Sequence, residues 1–119
     1  MNDSKLFTAW TIELDAARRA RADHDPASEW QRLERAHILS QPMPWPHVRT
    51  HVAMLRSAIR RRDDREALGQ LGRIALAAPG SLSGKYPAGN TGSASVSAFE
   101  PMPIPDDLQA ILDDAEVAA

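Results

Sequence analysis

The sequence contains no cysteine. This absence excludes disulfide bonds, thiolate nucleophiles and zinc or iron–sulfur sites with cysteine ligands. Any metal ion would therefore be bound by histidine, aspartate, glutamate or amide groups. Residues branched at the β-carbon are also scarce whereas alanine is frequent, and this composition favours helices over strands.

The sequence also lacks long apolar segments and a marked excess of one charge. No stretch approaches the roughly 18 apolar residues of a membrane span. The N-terminal segment does not have the basic-then-apolar order of a signal peptide. We therefore expect a cytoplasmic protein with no membrane partner. The net charge of −2 gives no reason to expect a nucleic-acid partner.

The 119 residues are enough for a single domain with one core. Apolar residues that recur every three or four positions predict an all-α fold with four main helices. Their predicted ranges are 6–22, 26–41, 46–62 and 64–78. We expect two antiparallel hairpins, arranged as a bundle or as a tetratricopeptide-like helix pair.

Helix-capping and helix-breaking residues predict where the helices begin and end. Asp25 before Pro26 is typical of a helix start, and Asp63 with Glu66 resembles a capping box. Pro79 and Gly80 predict the end of the fourth helix, and with it the end of a helical core over 5–78.

The fourth helix is expected to bury Leu68, Leu71, Ile74 and Ala75. A long loop rich in glycine and proline follows over 79–105, and a short C-terminal helix over 106–115.

Glutamate and histidine residues occur in two pairs on the predicted inward faces. Glu34 and His37 are three residues apart, and His47 and His51 are four apart, so each pair lies on one side of its helix. Helical bundles use the first spacing, and helical zinc sites the second, to bind one ion. Because a short turn joins the two helices, the sequence predicts Glu34, His37, His47 and His51 as ligands of a divalent metal.

Four further residues belong to the predicted site. Glu13 lies on the apolar stripe of the first helix, where it could be a fifth ligand or a general base, and Glu34 is the other candidate catalytic carboxylate. Trp30 and Trp45 flank the site, and Asn90 lies in a glycine-rich segment that could cover it. Ligands without sulfur suit zinc, copper, nickel, iron or manganese.

Other functions fit the same residues. Glu34 or Glu13 could form a metal-free acid–base pair with a histidine beneath a lid over 84–92, or the polar groups could form a purely structural network. A tetratricopeptide-like interaction module would instead leave the histidines apart from each other. The sequence does not decide whether the protein is an enzyme, and it allows a metal ion, a small molecule or a second copy of the chain as partner.

Five motifs, in order along the chain, resemble the bacterial domain of unknown function family 3703. They are WQRLERAHILSQ at 30–41, His47-x-x-x-His51, Gly69-Gln70 with Arg73, GNTG at 89–92 and PMPIP at 101–105. The similarity covers about residues 6–112. It places Glu34, His37, His47, His51 and Asn90 inside the family's motifs, and it implies an association with heavy-metal resistance.

Overall fold

The computed structural model describes residues 3–118, with side-chain surroundings for 5–115. In this range the chain forms five α-helices and no strands: α1 (Asp3–Ala22), α2 (Pro26–Ser40), α3 (Pro44–Arg60), α4 (Asp64–Ser83) and α5 (Asp106–Ala118). The expected all-helical fold, with four main helices and a short C-terminal one, is confirmed. None of these helices is both long and apolar enough to cross a membrane.

The helices pack mainly on their neighbours in the chain. α1 packs along α2 and α3 along α4, while α2 also contacts α3 and so joins the two pairs. α5 lies against α1 and α2. The antiparallel hairpins and the likeness to tetratricopeptide repeats stay predictions.

The apolar core lies between α1, α2, α3 and α5. Its larger buried members are Leu6, Trp10, Leu14, Leu33, Ile38, Leu39, Met43, Met54 and Leu108. The indole of Trp10 donates a hydrogen bond to Oγ1 of Thr50 at 2.8 Å, which supplies the partner that a buried N–H requires.

Aspartate caps begin two of the helices as predicted. Asp25 accepts a hydrogen bond from the backbone N–H of Ser28, and Asp63 accepts one from that of Glu66, each at 3.1 Å. The carboxylate of Glu66 does not complete a capping box, because it accepts hydrogen bonds from the Gln70 side chain and from residues after α4.

The predicted end of α4 is wrong, because the helix continues through Pro79 and Gly80 to Ser83. A proline lacks its own N–H, which in a helix would bond to the carbonyl four residues earlier. Here that carbonyl belongs to Ala75, an exposed residue on the outer side of the helix. The next turn is fixed by Ser81, whose hydroxyl donates to the Gln41 carbonyl at 2.5 Å.

The predicted buried face of α4 is also wrong. Leu68 and Leu71 are 70% and 54% exposed, and Ala75 is exposed as well. The buried residues of this helix are Glu66, Gln70, Ala77 and Ser81. The helix turns this mostly polar face inward because every polar group on it has a buried hydrogen-bond partner.

Candidate metal centre

Three buried histidines meet where α2 and α3 join. His37 lies in the last turns of α2, and His47 and His51 lie one turn apart at the start of α3. Their ring centroids form a triangle with sides of 4.7, 4.9 and 5.0 Å. One ring nitrogen from each residue lies within 4.8 Å of the others, so the three could hold one metal ion.

Local sequence explains this convergence. Only residues 41–43 separate α2 from α3, so the end of one helix stays beside the start of the next. The four-residue spacing then places His47 and His51 on the side of α3 that faces His37.

The Nδ1 atom of His37 lies 2.7 Å from the backbone carbonyl oxygen of Asn90. A carbonyl oxygen can only accept, so Nδ1 carries the proton. The Nε2 atom of His37 then has an unprotonated lone pair.

His47 has the same arrangement through a hydroxyl group. Its Nδ1 lies 2.9 Å from Oγ of Ser81. Because that hydroxyl donates its own hydrogen to the carbonyl of Gln41, it accepts from His47. The Nδ1 atom of His47 is therefore the protonated one.

An amide group orients His51. Its Nδ1 lies 2.6 Å from Oε1 of Gln70. The amide nitrogen of Gln70 donates to the Glu66 carboxylate at 2.8 Å and to the Gly92 carbonyl at 2.9 Å, which fixes the oxygen toward the ring. All three histidines thus carry their proton on Nδ1 and keep Nε2 free to bind a metal.

Burial keeps the three rings neutral. Desolvation lowers the pKa of His47 and of His51 to about 4, and it lowers the pKa of His37 well below its usual value. The neighbouring histidines add to the effect at His37 and His47, and the Arg73 charge adds to it at His37 and His51. Neutral imidazole is the form that binds a metal.

The segment after α4 closes over the centre. Gly92 has a φ of +82°, and a β-carbon there would lie 2.6 Å from Cδ2 of His37, so this position requires glycine. The side-chain amide of Asn90 donates to the carbonyls of Ser97 and Glu100, each at 2.8 Å. Asn90 thereby holds the carbonyl that orients His37.

A cavity of about 310 Å³ opens beside the three histidines. Apolar and aromatic groups form much of its wall, including Leu76, Pro79 and Phe99, and Arg73 is a charged residue that lines it. A small molecule that enters this space would contact the histidine cluster.

Residues 4–112 match the family described as protein of unknown function, DUF3703. The chain belongs to the DUF3703 family. No curated protein and no solved structure matches the chain. The resemblance identified from the sequence motifs is therefore confirmed, and the function of this DUF3703 protein must be inferred from its own residues.

Glu34 lies outside the histidine group. Its half-buried carboxylate forms side-chain hydrogen bonds with Thr91 and Trp30, and burial raises its pKa above the usual value. Among the described side chains, the group that could hold a metal consists of His37, His47 and His51.

Glu13 is buried between α1 and α2 rather than beside the cavity. Its carboxylate accepts hydrogen bonds from Arg32 and from Arg35, at distances between 2.8 and 3.2 Å. Arg35 also pairs with Asp107 at the start of α5. Glu13, its two arginine partners and Asp107 thus form a structural ion-pair network that joins α1, α2 and α5.

The other predicted pocket residues differ in their placement. Asn90 lines the cavity, as described above. Trp30 lies beneath the guanidinium of Arg61, 4.7 Å from the ring centroid. Trp45 is 68% exposed. Neither tryptophan is among the described residues that line the cavity.

The residues of α4 that orient the centre were not predicted as site residues, although Gln70 lies in one of the family's motifs. Glu66, Gln70, Ala77 and Ser81 are spaced by four, seven and four positions, which places them on one face of a helix. Polar residues at that spacing are typical of a solvent-exposed face, so the stripe did not indicate burial. The leucines of the same helix favoured a buried face that is in fact exposed.

Proposed function

We propose that this protein binds one divalent transition-metal ion through the Nε2 atoms of His37, His47 and His51. The supporting observations are that each of the three buried imidazoles has an acceptor for its Nδ1–H, that one nitrogen of each ring lies within 4.8 Å of the others, and that the Nε2 atoms of His37 and His47 lie 3.1 Å apart. Oriented in this way, histidines are ready to bind a metal without choosing a tautomer or a rotamer.

A purely structural network explains this geometry poorly. The Nε2 atoms of His37 and His47 lie 3.1 Å apart, which is a hydrogen-bond distance. Both Nδ1 atoms are donors and both rings are neutral, so neither Nε2 has a hydrogen to share. Two lone pairs would then face each other in a buried site, which is unfavourable. A cation between them removes the repulsion.

The ligand set indicates the class of metal. Three imidazoles without thiolate or carboxylate suit zinc and its neighbours cobalt, nickel and copper. Nitrogens bound to one tetrahedral zinc at about 2.0 Å lie about 3.3 Å apart. The His37–His47 distance already matches this value, and we expect metal binding to draw the third ring inward.

Three protein ligands leave one coordination position open. Structural zinc sites have four protein ligands, whereas catalytic sites keep a position for water or substrate. The adjacent cavity gives that position access to small molecules. We therefore propose a metal-binding protein of the open-site type, and the link to heavy-metal resistance stays a prediction from the family resemblance.

Untagged protein tests this proposal. We expect one equivalent of Zn²⁺ or Co²⁺ with a Kd below about 1 μM, which corresponds to a binding free energy of about 8 kcal/mol or more. Competition with a coloured chelator measures the affinity. The His37→Ala/His51→Ala variant should bind at least 100-fold more weakly.

The exposed His24, in the turn between α1 and α2, provides the matched control. His24→Ala should leave the affinity unchanged. Absence of stoichiometric metal at micromolar free ion would contradict the proposal. An equal loss of metal affinity in His24→Ala and in the His37→Ala/His51→Ala variant would contradict it as well.

A further inference from the structure

Arg73 lines the same cavity as the three histidines. Its Nη2 donates to the Val96 carbonyl at 2.7 Å and its Nη1 donates to the Gly69 carbonyl at 3.3 Å. These two hydrogen bonds hold the guanidinium in place. In this position Arg73 shares the cavity wall with His37 and His51.

The Nε atom of Arg73 is buried and has no hydrogen-bond partner among the described residues. A buried N–H of a charged group without an acceptor is costly and uncommon in folded proteins. Arg73 therefore brings an unsatisfied donor to the wall of the cavity, where a ligand group that reached this N–H would satisfy it.

The charges around the cavity favour an anion. Three neutral histidines leave a bound divalent ion with its full charge, and Arg73 adds another positive charge. Lys85 also lines the cavity, and no aspartate or glutamate is among the described residues that do. An anionic group would thus meet the metal ion and two cationic side chains, Arg73 and Lys85, in a partly dehydrated space.

The lining residues and the volume of the cavity indicate the size and polarity of the rest of the ligand. Apolar side chains such as Leu76, Pro79 and Phe99 surround the space, and about 310 Å³ accommodates a small organic molecule. A carboxylate has two oxygens, which suits one open metal position and one N–H donor.

We propose that the metal-loaded cavity binds a small carboxylate with an apolar body. One carboxylate oxygen binds the open position of the metal, the other accepts from Nε–H of Arg73, and the apolar body contacts Leu76 and Phe99. This inference rests on the proposed metal site and names the ligand class for it.

Cobalt-loaded full-length protein tests the inference, since the visible spectrum of Co²⁺ reports on its ligands. We expect hexanoate to change the spectrum at millimolar or lower concentration, and hexanamide to require at least 10-fold more. Equal effects of the two would overturn the inference, and this comparison needs no variant. Stronger binding of inorganic phosphate than of hexanoate would overturn the choice of a carboxylate.

The Arg73→Gln variant provides the second measurement. It should still bind Co²⁺, because Arg73 is not a ligand, but its affinity for hexanoate should fall at least 10-fold. Arg65→Gln, an exposed arginine on the same helix, should bind hexanoate like the parent protein. Unchanged hexanoate affinity in Arg73→Gln would overturn the inference while the metal site stands. If the parent protein binds no Co²⁺, the proposed function fails and this inference fails with it.

Discussion

The Oε1 atom of Gln70 lies 2.6 Å from Nδ1 of His51 and can only accept the ring proton, because the amide nitrogen of Gln70 is held by Glu66 and Gly92. A residue on α4 thus sets the tautomer of a histidine on α3. The carboxylate of Glu66 stands behind this pair and also accepts from the backbone N–H of Ala94 at 2.6 Å. A chain of hydrogen bonds therefore joins the segment after α4 to the centre.

Gln70→Leu should weaken metal binding without removing a ligand. The substitution removes the acceptor for His51 Nδ1–H, so the ring loses its fixed tautomer and orientation. Changes of this kind typically cost about 10- to 100-fold in metal affinity. Chelator competition measures the loss, and the exposed Gln31→Leu serves as the control. Unchanged affinity in Gln70→Leu would show that Gln70 does not position His51.

The sequence was sufficient to predict the three histidines because their placement depends on local geometry. The spacing of His47 and His51 fixes their relative direction within one helix, and a short connection brings His37 beside them. The helix starts at Asp25 and Asp63 were predictable for the same reason, since a cap is formed by residues a few positions apart.

The inward face of α4 was not predictable from apolar periodicity. Burial of Leu68 and Leu71 would be favourable by itself. The fold instead buries Glu66, Gln70 and Ser81, whose polar groups all have hydrogen-bond partners. The partners of these groups lie in the connection between α2 and α3, on α3 and in the segment after α4, far away in the sequence. Helix propensity and periodicity contain no information about such long-range pairing.

Leucine substitutions test the orientation of α4. Leu68→Ala should change the free energy of unfolding by less than about 0.5 kcal/mol, because the side chain is already 70% exposed. Leu39→Ala, at a fully buried position of α2, should cost about 2 to 5 kcal/mol. Urea unfolding measures both values. A cost above about 2 kcal/mol for Leu68→Ala would mean that this face of α4 is covered.

The stability of the metal-free protein should depend on pH. His47 and His51 titrate near pH 4 when folded and near 6.5 when unfolded, so between these values the unfolded state binds more protons. Stability is then complete above about pH 6.5 and falls as the pH drops toward 4. At about 1.4 kcal/mol per pKa unit, each histidine contributes about 3 kcal/mol to this loss.

Urea unfolding at pH 7.5 and at pH 5 measures this dependence. The His47→Gln variant should show a smaller difference between the two pH values, because one of the buried titrating groups is gone. His24→Ala should retain the difference seen in the parent protein. Equal stability at both pH values would contradict the neutral, buried state of the histidines.

Glu13→Gln should reduce stability and leave metal binding intact. Glu13 is 4% exposed and accepts hydrogen bonds from two arginines, so neutralising it removes charge-assisted bonds worth about 1.5 to 3 kcal/mol. Asp15→Asn removes an exposed pair with Arg18 and should cost less than about 1 kcal/mol. Urea unfolding and zinc titration of each variant measure the two effects. Loss of metal binding in Glu13→Gln would instead support Glu13 as a ligand.

Two glycine-to-alanine substitutions distinguish a glycine that the metal centre needs, Gly92, from one that lies in an ordinary helix, Gly72. Gly92→Ala places a β-carbon 2.6 Å from Cδ2 of His37 at a φ of +82°. The backbone conformation alone costs about 1 to 3 kcal/mol for a residue other than glycine, and the contact forces the ring to move. We therefore expect lower stability together with at least 10-fold weaker metal binding.

Gly72→Ala is the matched substitution, because nothing lies within 4 Å of the added β-carbon and the residue is in the interior of α4. Alanine has the higher helix propensity, so the variant should be more stable by up to about 1 kcal/mol, with unchanged metal affinity. Thermal unfolding and chelator competition on both variants measure these effects. If Gly92→Ala bound metal as tightly as Gly72→Ala, the segment after α4 would have no part in positioning His37.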